Sequence, residues 1–165
     1  MERGDVMGRL ASIGFLSGVP ADLLGRHQVR AAWLTAEAGQ LILNFDDPTD
    51  DVFFVLSGSV RIAVRTHGGQ ELILQDIPAG GLFGEMAAID GAPRSASVAA
   101  LHRSRICRLP GAVFMALLAE SPALARRVMH LLTARVREAN ARMRRWRVPR
   151  NGAPSWKPGR AWSVC

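Results

Sequence analysis

Between residues 29 and 109 the apolar positions recur in short blocks, each closed by a turn-forming residue. Residues 40–45 set Leu41, Leu43 and Phe45 at a spacing of two, as on one face of a strand. Residues 52–56 form an uninterrupted apolar run, the pattern of a buried strand. Ser57 and Gly58 mark a turn, after which Val60, Ile62 and Val64 alternate with Arg61, Ala63 and Arg65. His67, Gly68, Gly69 and Gln70 read as a hairpin turn leading to Leu72, Leu74 and Ile77. Residues 97–100 and 103–109 add two further strands, for about seven or eight in all.

Helical spacing flanks this block. Residues 5–28 hold two short helical candidates, the first starting at Gly4 or Asp5 and the second opening on Pro20. Residues 110–119 predict a short amphipathic helix. Ser121 then reads as an N-cap and Pro122 as a first-turn proline. Nothing breaks the helix from there to Trp146. Leu124, Val128 and Leu131 can face the strands. Met129, Leu132, Val136, Ala139, Met143 and Trp146 step by three and four, a seam suited to a second copy of the helix. The pattern predicts an α+β fold: a small antiparallel β jelly-roll barrel flanked by N-terminal helices and a long C-terminal dimerisation helix. The organisation is residues 1–28 helical, 29–109 barrel, 110–146 helical and 147–165 tail. A parallel homodimer through residues 122–146 is expected.

Composition refines this picture. The chain has 165 residues, 48% of them hydrophobic, enough for one domain with a core. No apolar stretch is long enough to cross a bilayer, and the N-terminus lacks the basic start and apolar run of a signal peptide. Two cysteines, Cys107 and Cys165, cannot build a disulfide framework. A cytoplasmic protein with no membrane partner is expected. The formal charge of +7 is unevenly placed. Residues 1–125 carry 10 Arg against 13 acids, and residues 126–165 carry 10 Arg and 1 Lys against 1 Glu. A mildly acidic domain therefore bears a basic extension, and nucleic acid can be a partner only through that extension. Prolines and glycines in residues 147–165 predict a disordered or loosely docked tail.

Residues 81–98 carry the candidate chemistry. Gly81 and Gly84 allow backbone amides to converge on an anion, and Glu85 opens a short helical turn. Arg94 offers a fork of donors that matches a phosphate, and Ser95 adds a hydroxyl. Glu85 can accept hydrogen bonds from sugar hydroxyls. A sugar phosphate answers to this set.

The same residues resemble the phosphate-binding cassette of cyclic nucleotide-binding domains. Phe83-Gly84-Glu85, Ala87, Ile89, Gly91 and Pro93-Arg94-Ser95-Ala96 fit that pattern without a gap, and Val98 follows. The run from Phe54 to Val60 resembles the strand pair that precedes the cassette in that family. The resemblance covers about residues 10–146 and implies a sensor whose ligand is cAMP or cGMP. It implies that Glu85 binds the ribose 2′-hydroxyl and that Arg94 and Ser95 bind the cyclic phosphate. Phe83, Gly84, Met86, Ala87 and Ala96 complete the expected site. In catabolite activator-type regulators the long helix closes over the base, which brings Ala139 and Asn140 to the base-contacting positions. Of these, only Asn140 can hydrogen-bond through its side chain. The resemblance also implies that nucleotide binding moves the C-terminal helix.

Other functions leave weaker traces. A metalloenzyme on a jelly roll needs clustered histidines, and His27, His67, His102 and His130 are scattered. Asp46, Asp47, Asp50 and Asp51 lack the spacing of a calcium loop and read as a solvated turn. There is no N-terminal cysteine cluster for iron–sulfur sensing, and His102 and Cys107 are the remaining candidates for haem ligation. No catalytic residue, metal site or resident cofactor is expected. Two alternatives stay open. One is a transcriptional regulator of the catabolite activator type, whose helix-turn-helix domain residues 147–165 are too short to supply. The other is a protein-interaction module with a vestigial pocket.

Overall fold

The computed structural model describes residues 10–26, 31–65 and 68–145. The expected helix start at Gly4 or Asp5, the His67 corner, Trp146 and the 147–165 tail lie outside them. A 3-10 turn, Gly14–Leu16, and helix α1, Ala21–Arg26, precede the strands. The strands are β1 (Ala32–Ala36), β2 (Leu41–Leu43), β3 (Val52–Ser57), β4 (Ser59–Arg65), β5 (Glu71–Pro78), β6 (Leu82–Phe83), β7 (Ser97–Ala100) and β8 (Ser104–Leu109). Helix α2, Glu85–Asp90, sits between β6 and β7, while α3, Gly111–Glu120, and α4, Pro122–Arg145, close the described chain.

All pairings are antiparallel and give two four-stranded sheets, ordered β1-β8-β3-β6 and β2-β7-β4-β5. The fold is the expected α+β jelly roll. Strand β3 explains its own unbroken apolar run, because both of its faces are buried. Phe53 and Val55 point between the sheets, with Phe83, Val60 and Ile106. Val52 and Phe54 point the other way, into a second core shared with the helices. That second core takes Leu16, Leu23 and Leu24 from the N-terminal segment, Phe114 and Leu117 from α3, and Leu124 and Val128 from α4.

The long helix is thereby fixed at its N-terminal half. Leu124 and Val128 are buried, Leu131 packs partly against them, and Arg127 donates to the carbonyls of Phe15 and Ser17. This is the face expected to meet the barrel. The other face stays open: Met129, Val136 and Met143 are 60%, 59% and 65% exposed, at a spacing of seven.

The expected face of residues 40–45 is not formed. Leu43 is buried, whereas Leu41 and Phe45 are exposed, because β2 ends at Leu43 and its register against β7 shifts between Leu41 and Leu43. A second irregularity opposes Ile62 to Gln75 and Ala63 to Ile73, so Leu74 falls on a bulge.

Candidate functional site

Helix α2 is short and bounded by two glycines in the left-handed region, Gly84 (φ 81°) before it and Gly91 (φ 70°) after it. At Gly84 the need for glycine is double. A Cβ there would lie 2.8 Å from the Asp51 carbonyl oxygen and 2.9 Å from Arg94 Nη1. Gly81 answers to space instead, since a Cβ there would meet the Ile77 Cγ2 at 2.2 Å.

The tight turn seats Arg94, which is only 3% exposed. Its Nε donates to Thr49 Oγ1 at 3.0 Å, Nη1 to the Gly84 carbonyl at 2.8 Å and Nη2 to the Asp51 carbonyl at 2.8 Å. The guanidinium also lies 5.9 Å from the centre of the Phe53 ring. Five N–H groups serve three acceptors among the described residues, which leaves two uncommitted. Burial pushes Arg94 below its ordinary pKa, while Asp51, Asp50, Asp47 and Glu85 oppose the shift. A guanidinium keeps its charge through such a shift.

The acidic loop is therefore more than a solvated turn. Its backbone brackets Arg94, with the Asp46 amide donating to the Arg94 carbonyl at 2.9 Å and the Arg94 amide donating to Asp47 at 3.0 Å. Its carboxylates offset a buried positive charge. Among the described residues no cluster suited to a metal ion is present.

Glu85 is 1% exposed. Its Oε1 accepts a charged hydrogen bond from Arg135 of α4, and Arg135 also donates to the Leu82 carbonyl. Glu85 Oε2 is buried and accepts from no donor among the described residues. A carboxylate oxygen in that position is costly unless a donor arrives. Arg135 lies outside every motif in the sequence. Its signal was faint: an arginine three residues past Leu132 and four before Ala139, on a helix already rich in arginine.

These groups border a cavity of about 540 Å³. Gly84, Glu85, Met86, Ala87, Arg94, Ser95 and Ala96 all line it. Apolar side chains of the β2-β7-β4-β5 sheet, Leu43, Ile62, Leu74 and Val98, continue the lining. Helix α4 covers it with Leu132, Arg135, Val136, Ala139 and Arg142. The Ser95 hydroxyl has one weak contact, 3.8 Å from Met86 Sδ.

Two expected site residues fall elsewhere. Phe83 is fully buried and stacks on Phe53 with ring centres 5.0 Å apart and planes 6° from parallel, so it supports the cassette from the core. Asn140 is exposed and outside the cavity lining, because one residue along α4 turns it about 100° away from Ala139.

The profile of the cyclic nucleotide-binding domain matches residues 33–121. The chain belongs to this family. It is 38% identical over 103 residues to the cyclic AMP receptor protein of Thermus thermophilus, covering 62% of this chain and 47% of that protein. It is 26% identical over 106 residues to a lysophospholipase of Neosartorya fischeri, covering 64% of this chain and 7% of that protein. The crystal structure of the Thermus thermophilus catabolite activator protein superposes with a TM-score of 0.65 at 28% identity, over 79% of this chain and 61% of that one. The chain thus spans less than half the length of these curated relatives. In this cyclic nucleotide-binding domain, no helix among the described residues is long and apolar enough to cross a membrane.

Proposed function

We propose that the chain is a sensor for a 3′,5′-cyclic purine nucleotide, cAMP or cGMP, and that it performs no catalysis itself. The observation that carries this is Glu85 Oε2, an acceptor buried in the cavity wall without a donor among the described residues. A ribose 2′-hydroxyl supplies that donor. The cyclic phosphate then takes the two uncommitted N–H groups of Arg94 and the Ser95 hydroxyl. The purine extends along the apolar walls toward α4.

Binding is coupled to α4 through Arg135. The same carboxylate that accepts the ribose hydroxyl already accepts from Arg135, so the ligand changes the partner set of a helix residue. Only a difference in nucleotide affinity between two α4 positions can move the helix, and about 1–3 kcal/mol is a normal size for such coupling. The exposed Met129, Val136 and Met143 support a parallel homodimer along α4. In that dimer Asn140, which faces away from its own cavity, becomes available to the partner's nucleotide.

Isothermal titration with cAMP and cGMP tests the reading, with Arg94→Ala as control. Saturable binding that the substitution weakens by two orders of magnitude or more is the expected result. Absence of heat and of thermal stabilisation with both nucleotides, or equal affinity in the variant, overturns it.

A further inference from the structure

Three residues lining the cavity beyond the cassette carry hydrogen-bonding side chains, Gln75 on β5 and Arg135 and Arg142 on α4, and of these Arg135 already donates to Glu85 and to the Leu82 carbonyl. Around them the lining is apolar, with Ile62, Leu74, Val136 and Ala139. Asp90 borders the cavity too, but its Oδ1 is occupied by the Ala92 amide at 2.9 Å. Arg142 lies seven residues beyond Arg135, two turns up the same helix face and about 10 Å from the Glu85 contact. Among the described residues it has no hydrogen-bond or ion-pair partner, and it is exposed. It therefore stands at the end of the cavity opposite the sugar-phosphate machinery.

The chemistry of that end is one-sided. A guanidinium is donor only, with N–H groups in a planar fork. The Hoogsteen edge of guanine offers two adjacent acceptors, O6 and N7, which match the fork. Adenine offers N7 beside an N6 amino donor, which faces the fork with like polarity. The Gln75 amide can turn to either base and does not choose. Ala139 contributes no polar group.

We propose that Arg142 is a specificity-determining residue that reads the purine and makes this site prefer cGMP over cAMP. This rests on the cyclic-nucleotide reading of the cavity and names the ligand within it. On nucleotide binding the Arg142 fork folds inward over the O6/N7 edge, so the selective contact also engages the free C-terminal half of α4.

The test is isothermal titration of the intact chain, Arg142→Ala and Arg142→Lys with cGMP and cAMP. The parent is expected to bind cGMP at least about tenfold more tightly, as one bidentate arginine–guanine pair allows. Arg142→Ala is expected to bring the two affinities within about threefold, chiefly by weakening cGMP. Arg142→Lys, which keeps the charge and loses the fork, is expected to recover only part of the preference. Equal affinities in the parent, a preference for cAMP, or an equal loss for both nucleotides in Arg142→Ala overturns the proposal and leaves the sensor reading intact. Failure of both nucleotides to bind the parent removes the sensor reading and this inference with it.

Discussion

At the scale of single residues, the site is a set of buried polar atoms whose partners are almost, but not fully, supplied by the protein. The sequence reads Arg94 as a candidate phosphate ligand and gives no sign of its structural task. Arg94 ties Gly84 and the Asp51 loop together through carbonyls that carry no side-chain signature. Arg94→Ala is therefore expected to cost stability as well as affinity. Each orphaned buried acceptor is worth about 1–3 kcal/mol, readable by urea denaturation of the unliganded protein. Gly84→Ala forces a left-handed alanine, at about 1–2 kcal/mol, against both Asp51 and Arg94. It is expected to lower stability and nucleotide affinity together.

Cys107 gives a pH-dependent prediction at the same scale. It is buried, and burial alone pushes its thiol up to about 12. A raised thiol pKa means that the folded state holds its proton longer than the unfolded chain. This contribution is complete below the unfolded value of about 8.5 and is lost as the pH rises from there toward 12. In a Cys165→Ser background, Cys107 is expected to resist alkylation at pH 8 until the protein unfolds. Fast labelling of the folded protein contradicts the burial described here.

At the scale of elements, hydrophobic periodicity located the strands and the long helix, and it failed where a register shift intervened. Leu41 and Phe45 shared the right spacing with Leu43, yet the shift in β2 and the end of the strand turned them outward. Periodicity counts residues along one chain, whereas a bulge is settled by the partner strand. Phe83 was assigned to the ligand for a similar reason. It belongs to the cassette motif, but the stack with Phe53 across the β3–β6 pairing can be seen only once those strands meet.

The link between α2 and α4 was invisible for the same cause. Glu85 and Arg135 are fifty residues apart. Arg135→Met leaves the Glu85 carboxylate buried without its cation. Breaking a fully buried pair from one side costs about 3–5 kcal/mol, and the partial exposure of Arg135 places this one at the lower end or below. Adding Glu85→Gln to the Arg135→Met chain is expected to restore part of the loss in a denaturation series. A double variant no more stable than Arg135→Met argues against the pair as the link between helix and cassette.

At the scale of the whole molecule, a jelly roll carries the cavity on one side and lays a long helix across it. The N-terminal half of α4 is held by Leu124, Val128 and Arg127, while the half beyond Leu132 touches the domain mainly around the cavity. That division suits a reporter helix, anchored at one end and responsive at the other. Met143→Glu places a charge in the open seam and is expected to weaken self-association at least tenfold in analytical ultracentrifugation, with little change in thermal stability of the monomer. An unchanged oligomeric state removes this face from the dimer.

The most direct test of the whole account is a paired titration of the intact chain with its tighter-binding cyclic nucleotide and with the 2′-deoxy analogue of that nucleotide. The analogue lacks only the hydroxyl assigned to Glu85 Oε2. A hydrogen bond to a buried carboxylate is worth about 1.5–3 kcal/mol, so the expected loss is roughly ten- to hundredfold in affinity. Equal binding of the two ligands contradicts the assignment of Glu85, and with it the central claim that this carboxylate senses the ribose and passes the signal to Arg135.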